Sequence, residues 1–473
     1  MEHTKPSSAG GDSPSPTTPT SPPITRRSLI GSGLAALVAA PWAGSLEAAQ
    51  RLGLGGPGGR PPGRGPTGNP AAPYIRRGPA QDDEIVLGVS CAFSGPSRGL
   101  GTELYRGSMA YFNELNENGG VNGRRIVMKL LDDGYQPDPC VANTIELMQD
   151  ERVFLLFNYV GTPTVTRALP VLKTFRDQQM FLFFPFTGAE PQREPPYDEF
   201  AFNLRASYRQ ETAGLVDNFV NIGRRRVAVF YQNDAYGRSG WAGVREALAR
   251  HGETIAGEAT YTRGTQYSAS MRAQVEILLE RSPDAVICIG AYQACGAFAR
   301  DAVDLGLHIP VANVSFVGSE NMLQLLQGES ADPNSHTRWL VNSQVVPSYA
   351  DTSLPAVQEY RELMARHDPP PPDNVERITP NEPYETFPQS FVSLEGFVNA
   401  KLISEIIRRM GDDPQRSGIE EAVFNVRNYD LGVGERVSFG PNRRQGLQRV
   451  YYTVVEADRF VPLDDWEASF GMP

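Results

Sequence analysis

The sequence predicts an α/β protein built from two doubly wound parallel sheets. Short apolar runs alternate with stretches of helical periodicity from residue 84 to residue 345. Most of the breaks between them are short, so successive strands are joined by helical crossovers and run parallel. The alternation also forms two successive series of βα units, which is doubly wound architecture twice over.

The opening unit, residues 84–133, reads EIVLGVSCAFSGPSRGLGTELYRGSMAYFNELNENGGVNGRRIVMKLLDD. Residues 85–93 form a nearly continuous apolar run, as a strand buried on both faces requires. Ser94, Gly95 and Pro96 break it. From 103 to 118, Leu104, Ser108, Tyr111, Phe112 and Leu115 share one helical face, and Gly119-Gly120 ends that helix. A second apolar run, 126–131, closes on Asp132-Asp133. Further strands are expected at 153–158, 180–184, 227–231, 254–261, 285–289, 310–314 and 339–345. The helices between them are expected at 139–150, around 164–176, 210–222, 237–251, 270–281, 293–305 and 320–326. Residues 367–383 are Pro-rich and read as a surface loop. A helix over 390–410 carries an apolar stripe of core residues, and 450–455 is a late strand returning to the second sheet.

The N-terminal region has a different character. Residues 1–24 are rich in Pro, Ser and Thr and build no core. Arg26-Arg27 then precedes a weakly apolar stretch to Ala40, with small residues to Ala49, so residues 1–49 read as a twin-arginine export signal. An ordinary basic N-region and an uncleaved anchor are the alternatives. The apolar part is short of the roughly 20 residues a membrane span needs. Gly31-Ser-Gly33-Leu-Ala-Ala fits the dinucleotide pattern GxGxxA, but no strand precedes it and the match is accidental. Residues 50–83 form a Gly/Pro/Arg-rich linker.

Composition excludes several classes. The chain has 473 residues, enough for two or three domains. A net charge of −11 and a pI near 5.2 argue against nucleic acid as a partner. The five His show no metal-ligand spacing, and GxSxG, HExxH and P-loop patterns are missing. No catalytic residue, metal or cofactor is therefore expected. Mean hydropathy of −0.34 shows no bulk membrane character. The four Cys, at 91, 140, 288 and 295, permit a Cys91–Cys140 disulfide or buried free thiols.

The residues with binding potential lie in loops straight after strands, where ligands of doubly wound proteins sit. In the first half these are Ser94 and Leu100, then Tyr159, Gly161 and Thr162, then Phe186, Thr187 and Gly188. In the second half they are Tyr236, Tyr292 and Glu320. A hydroxyl at a helix N-terminus, as at Thr162, suits a carboxylate and equally suits a simple N-cap.

The combination of SGP, the helix ending NENGGVNGR and the strand ending DD resembles the type I periplasmic binding proteins, and within them the branched-chain amino acid (Leu/Ile/Val) branch of ABC-importer receptors. The similarity runs from Glu84 to about Leu463. It implies two lobes joined by a hinge, with three crossings near 204–207, 345–348 and within 426–431. The lobes would then comprise 84–206 plus 347–428 and 207–346 plus 429–473. It further implies a non-enzymatic, periplasmic receptor for an amino acid or related small organic acid. Its partners would be an ABC permease in the inner membrane and the twin-arginine export machinery. By the same resemblance, Thr162 would bind the α-carboxylate, Tyr236 and Tyr292 would line the far wall, and Glu320 would pair with the α-ammonium. Phe186 and Gly188 depart from the usual small residue and second hydroxyl. They put a plain Leu/Ile/Val ligand in question and leave room for an aromatic acid or another small organic anion, for which Arg98 is a candidate partner. A ligand-sensing module of the same fold is the rival function. An NAD enzyme ranks last, since SGPSRGLG is not GxGxxG.

Overall fold

The computed structural model describes residues 83–328, 334–372 and 384–472. The expected export signal and all but the last residue of the linker lie outside these. Among the described residues no helix is long and apolar enough to cross a membrane.

The first sheet has the order β2-β1-β3-β4-β5. Its strands are β1 (Glu84–Cys91), β2 (Arg125–Asp132), β3 (Val153–Phe157), β4 (Leu182–Phe183) and β5 (Ala201–Phe202). All its pairings are parallel, with Glu84 opposite Arg125 and Cys91 opposite Asp132. Three helices supply the crossovers: α1 (Arg98–Glu117), α2 (Pro137–Gln149) and α3 (Thr162–Thr174). An apolar core lies on each face of this sheet. Leu147, Tyr159, Val165 and Leu169 belong to one, and Leu87, Leu104, Phe112 and Phe157 to the other.

The second sheet contains β6 (Val227–Gln232), β7 (Glu258–Tyr261), β8 (Ala285–Ile289), β9 (Val311–Asn313) and β10 (Leu340–Gln344). Two further strands, β13 (Tyr451–Glu456) and β14 (Arg459–Pro462), complete the order β14-β13-β10-β9-β8-β6-β7. The five earlier strands are mutually parallel, and β13 returns antiparallel to β10, with Val454 opposite Val341. Its crossover helices include α4 (Tyr208–Asn221), α5 (Ala235–Arg250), α6 (Arg272–Leu279), α7 (Tyr292–Asp304) and α8 (Ser319–Gly328).

Between β10 and β13 the chain goes back to the first sheet. Helices α9 (Pro355–His367) and α10 (Phe391–Arg409) pack on α1. The α1–α10 approach is backbone to backbone: a Cβ on Gly107 would lie 1.7 Å from Ser393 O, and one on Gly396 2.1 Å from Leu104 O. The hairpin of β11 (Tyr429–Asp430) and β12 (Arg436–Val437) follows, after the short α11 (Ile419–Phe424).

The third crossing differs from the expected 426–431. The stretch running beside the first crossing is 444–447, where Asn203 N–H donates to Arg444 O at 2.8 Å and Leu447 N–H to Leu204 O at 2.8 Å. Phe439 stays with the first sheet, 6.1 Å from Phe202 and 6.5 Å from Phe184 ring to ring. Those apolar contacts hold the β11–β12 hairpin on the first lobe, and the chain leaves only after it. All four Cys are buried free thiols, so the Cys91–Cys140 pair is not a disulfide; burial pushes both thiols up.

Candidate functional site

The strand ends of the two sheets face each other, and their loops meet. On the first sheet, Thr162 opens α3 just after β3, and Thr187 lies in the loop after β4; their hydroxyls are hydrogen-bonded at 2.7 Å. Gly161 holds φ at +101°, and a Cβ there would fall 2.1 Å from the Tyr135 ring, so only Gly lets the helix start come this close. Phe186 N–H donates to Tyr159 O at 2.7 Å, which fixes the loop carrying the Phe186 ring.

On the second sheet, Asp234 caps α5 by accepting from Tyr236 N–H at 2.9 Å. Its other oxygen accepts from Gln232 at 2.7 Å and from Arg263 at 3.1 Å. The cap sets the Tyr236 ring 4.8 Å from Phe316, whose 3₁₀ turn, Ser315–Val317, follows β9. Phe316 is the centre of a cross-lobe cluster, 5.7 Å from Tyr135 and 5.4 Å from Phe186. Tyr208 adds to it through Tyr236, at 5.1 Å. Hydrogen bonds also cross, among them Gln232 donating to Tyr135 Oη at 3.3 Å and Gly99 N–H to Tyr292 Oη at 3.2 Å. Burial pushes the Tyr292 hydroxyl up to about 12, so it remains protonated at neutral pH.

At the first crossing, Arg205 spans the gap. Its guanidinium lies 4.7 Å above the Phe186 ring and donates to Ser315 Oγ. Glu211 and Glu395 balance its charge at 3.5 and 3.4 Å. Burial pushes the Glu395 carboxyl up to about 7, against the pull of Arg205. Arg205 is only 2% exposed, yet its Nε and Nη1 have no hydrogen-bond partner among the described residues, and the same holds for the buried Tyr208 hydroxyl. Burial pushes that hydroxyl up, opposed first by the Arg205 charge and then by the nearby hydroxyls of Thr187 and Thr162, neither of which reaches hydrogen-bond geometry to it.

Thr162, Phe186, Thr187 and Tyr236 are thus brought together, with Gly161 beside Tyr135. Gly188 joins them through its backbone, its carbonyl accepting from Tyr208 N–H at 2.7 Å. Tyr292 bridges the lobes on another flank, over Gly99, and Leu100 packs there near Gly318. Ser94 is tied to Asp132 by its hydroxyl at 2.6 Å and its N–H at 3.1 Å. The Tyr159 side chain is turned into the core behind the sheet. Glu320 accepts from Phe391 N–H at 3.3 Å, beside Tyr349, at the start of α10; burial pushes its carboxyl up to about 8. Arg98 is half-buried at the start of α1.

Tyr135, Arg205, Tyr208 and Phe316 were not among the expected residues. Tyr135 obeys the same strand-end rule, after β2. Arg205 and Tyr208 lie in and just past the expected crossing at 204–207. Phe316 lies in the turn just after β9, where the same strand-end rule applies. The roomier surface pockets, of about 590 and 550 Å³, open near the starts of strands, away from this cluster.

The profile of the periplasmic binding protein family matches residues 84–459. A Leu/Ile/Val-binding protein homolog 3 of Brucella melitensis is 24% identical over 225 residues, 47% of this chain and 59% of that protein's length. The chain thus spans less than two thirds of that relative. A solved structure from Rhodopirellula baltica, titled a possible leucine/isoleucine/valine-binding protein, is 30% identical, with a TM-score of 0.69 over 82% of this chain and 99% of its own. A branched-chain amino acid ABC transporter protein from Thermus thermophilus with bound valine shares the fold. Its TM-score is 0.68 at 15% identity, over 81% of this chain and 96% of its own.

Proposed function

The chain belongs to the periplasmic binding protein family, and from that premise we propose that it is the receptor of an ABC importer. It captures an amino acid or related small organic acid between its lobes and delivers it to an inner-membrane permease. It works by binding and closure, with no chemical step. The observation that carries this reading is the meeting of strand-end loops from both sheets around Thr162, Thr187 and Phe316. A ligand there touches both lobes only when they are closed, which couples capture to shape. Arg26-Arg27 supports export by the twin-arginine route. Changing both to Lys should leave precursor in the cytoplasm, read by fractionation and blotting; normal maturation of that variant would remove the route.

A thermal-shift screen of the full chain with amino acids, aromatic acids and aliphatic acids tests the receptor reading. A true ligand at about a hundredfold excess over Kd stabilises by roughly 2.7 kcal/mol, a shift of a few degrees. The absence of a shift with every class would refute it.

A further inference from the structure

We propose that the ligand is an aryl carboxylate without an amine, its carboxylate held by Arg205 and Tyr208 and its ring taken between Phe316 and the facing aromatics. This rests on the reading of the cleft as the ligand site and names the ligand's class.

The first argument concerns acceptors. An α-ammonium in a closed cleft needs a carboxylate free to receive it. The acids around this cleft already have partners, Glu395 through its ion pair with Arg205 at 3.4 Å and the others through hydrogen bonds. Glu320 accepts from Phe391 N–H, Asp234 from Tyr236 N–H, Gln232 and Arg263, and Asp132 from Ser94. Glu211 accepts from Ser315 N–H and from the Ser315 and Ser343 hydroxyls.

The second concerns donors, where the balance is reversed. Arg205 Nε and the Tyr208 hydroxyl are buried without hydrogen-bond partners among the described residues, and Arg205 Nη1 is ion-paired with Glu395 at 3.4 Å without a hydrogen bond. Arg205 lies between Phe186 of one lobe and Ser315 of the other, so its unspent Nε–H is at the lobe junction. Tyr208 reaches towards the Thr162–Thr187 hydroxyl pair, a few residues along the same crossing. A buried donor left unmade is costly, and an arriving carboxylate satisfies several at once. Two acids already neutralise Arg205, and Glu395 can take up a proton as a further anion arrives, because burial has moved its carboxyl to about 7.

The third concerns shape. Phe316 has the rings of Tyr135, Phe186 and Tyr236 within 5.7 Å. Such a set favours a flat ring, which stacks or meets edges, over a branched aliphatic side chain.

Calorimetric titration of the full chain tests this with 4-hydroxybenzoate, 3-phenylpropanoate, phenylalanine and leucine. Both aryl acids should bind, with phenylalanine at least about tenfold weaker than 3-phenylpropanoate and leucine weaker still. Arg205→Met should weaken the acids by roughly ten- to a hundredfold, with Arg205→Lys restoring part. Tyr208→Phe keeps the ring and should cost several-fold, up to about tenfold. It provides the reading if Arg205→Met fails to fold by circular dichroism. Leucine or phenylalanine binding while the aryl acids do not would overturn the proposal and leave the receptor function standing. Failure of every amino acid and organic acid would refute the receptor reading itself. Aryl binding unchanged in both Arg205→Met and Tyr208→Phe would remove these residues from the site.

Discussion

Among the described residues, four carboxyl groups are buried deeply enough that loss of water outweighs their partners. Burial pushes Glu103, Asp133 and Glu395 up to about 7 and Glu320 up to about 8. A carboxyl raised in the native state binds its proton more tightly there than when unfolded. Its contribution is fully present below the unfolded pKa near 4 and is lost as pH rises through the native value. Asp150, held low by Arg152, acts in the opposite sense and is felt only in acid. Stability should therefore fall between about pH 5 and pH 8. Glu320→Gln keeps an acceptor for Phe391 N–H and removes the ionisation. Urea melts should show little change at about pH 5 and a gain of roughly 4 kcal/mol at about pH 8.5. Equal destabilisation at both would show that the carboxyl is held by its partners rather than penalised by burial. Single residues were legible when a general rule reached them: Thr162, Phe186, Thr187 and Tyr236 follow strands, and the loops meet. The side-chain direction of Tyr159 was not, because one step along a strand end turns a side chain from the cleft to the core. Nor was the engagement of Glu320 by a backbone N–H that comes from 71 residues further along the chain.

At the scale of elements, the contact of α1 with α10 depends on two glycines. Gly107→Ala would raise helix propensity and, on an open helix face, stabilise by about 0.5–1 kcal/mol. Here the new methyl would meet Ser393 O at 1.7 Å, so the helices must part. The expected sign is the reverse: a loss of 1–3 kcal/mol or more, read from the denaturation midpoint. A stabilised variant would mean that the two helices separate without cost. The stripe of α10 was plain in the sequence because Phe391, Leu394, Phe397, Val398, Leu402 and Ile406 repeat at helical spacing. The closeness of its approach was not, since a glycine's meaning depends on the partner that faces it. Helix α9 escaped notice entirely. Its buried positions, Val357, Tyr360, Leu363 and Met364, form a narrow stripe among Gln, Glu and Arg, beside a Pro-rich segment that reads as loop. The longer core strands were legible, but β5, β11, β12 and β14 were not, and β4 shrank to Leu182–Phe183, because an apolar run marks burial and does not require ladder hydrogen bonds along its whole length.

For the whole molecule, the two-lobed plan was legible because it repeats, whereas the third crossing came later than expected, after the β11–β12 hairpin. Aromatic rings are among the contacts between the lobes, and they bear on how the cleft opens. Phe316 of the second sheet packs on Tyr135 and Phe186 of the first, and burying such rings contributes on the order of 1 kcal/mol per pair beyond area. Opening the cleft has to break these contacts, so they favour the closed form, and a ligand can enter only from an open one. Its apparent affinity is reduced by the fraction that is open. Phe316→Ala removes the central ring while leaving the strands and the hinge crossings intact. Small-angle scattering should find the ligand-free variant larger than the ligand-free wild type, and stopped-flow mixing should find faster association. An aryl acid should bind the variant with a higher off-rate, since the ring that clamps it is gone. If scattering shows wild type and variant equally extended without ligand, the rings do not hold the lobes closed, and closure must then come from the ligand's own contacts across the cleft.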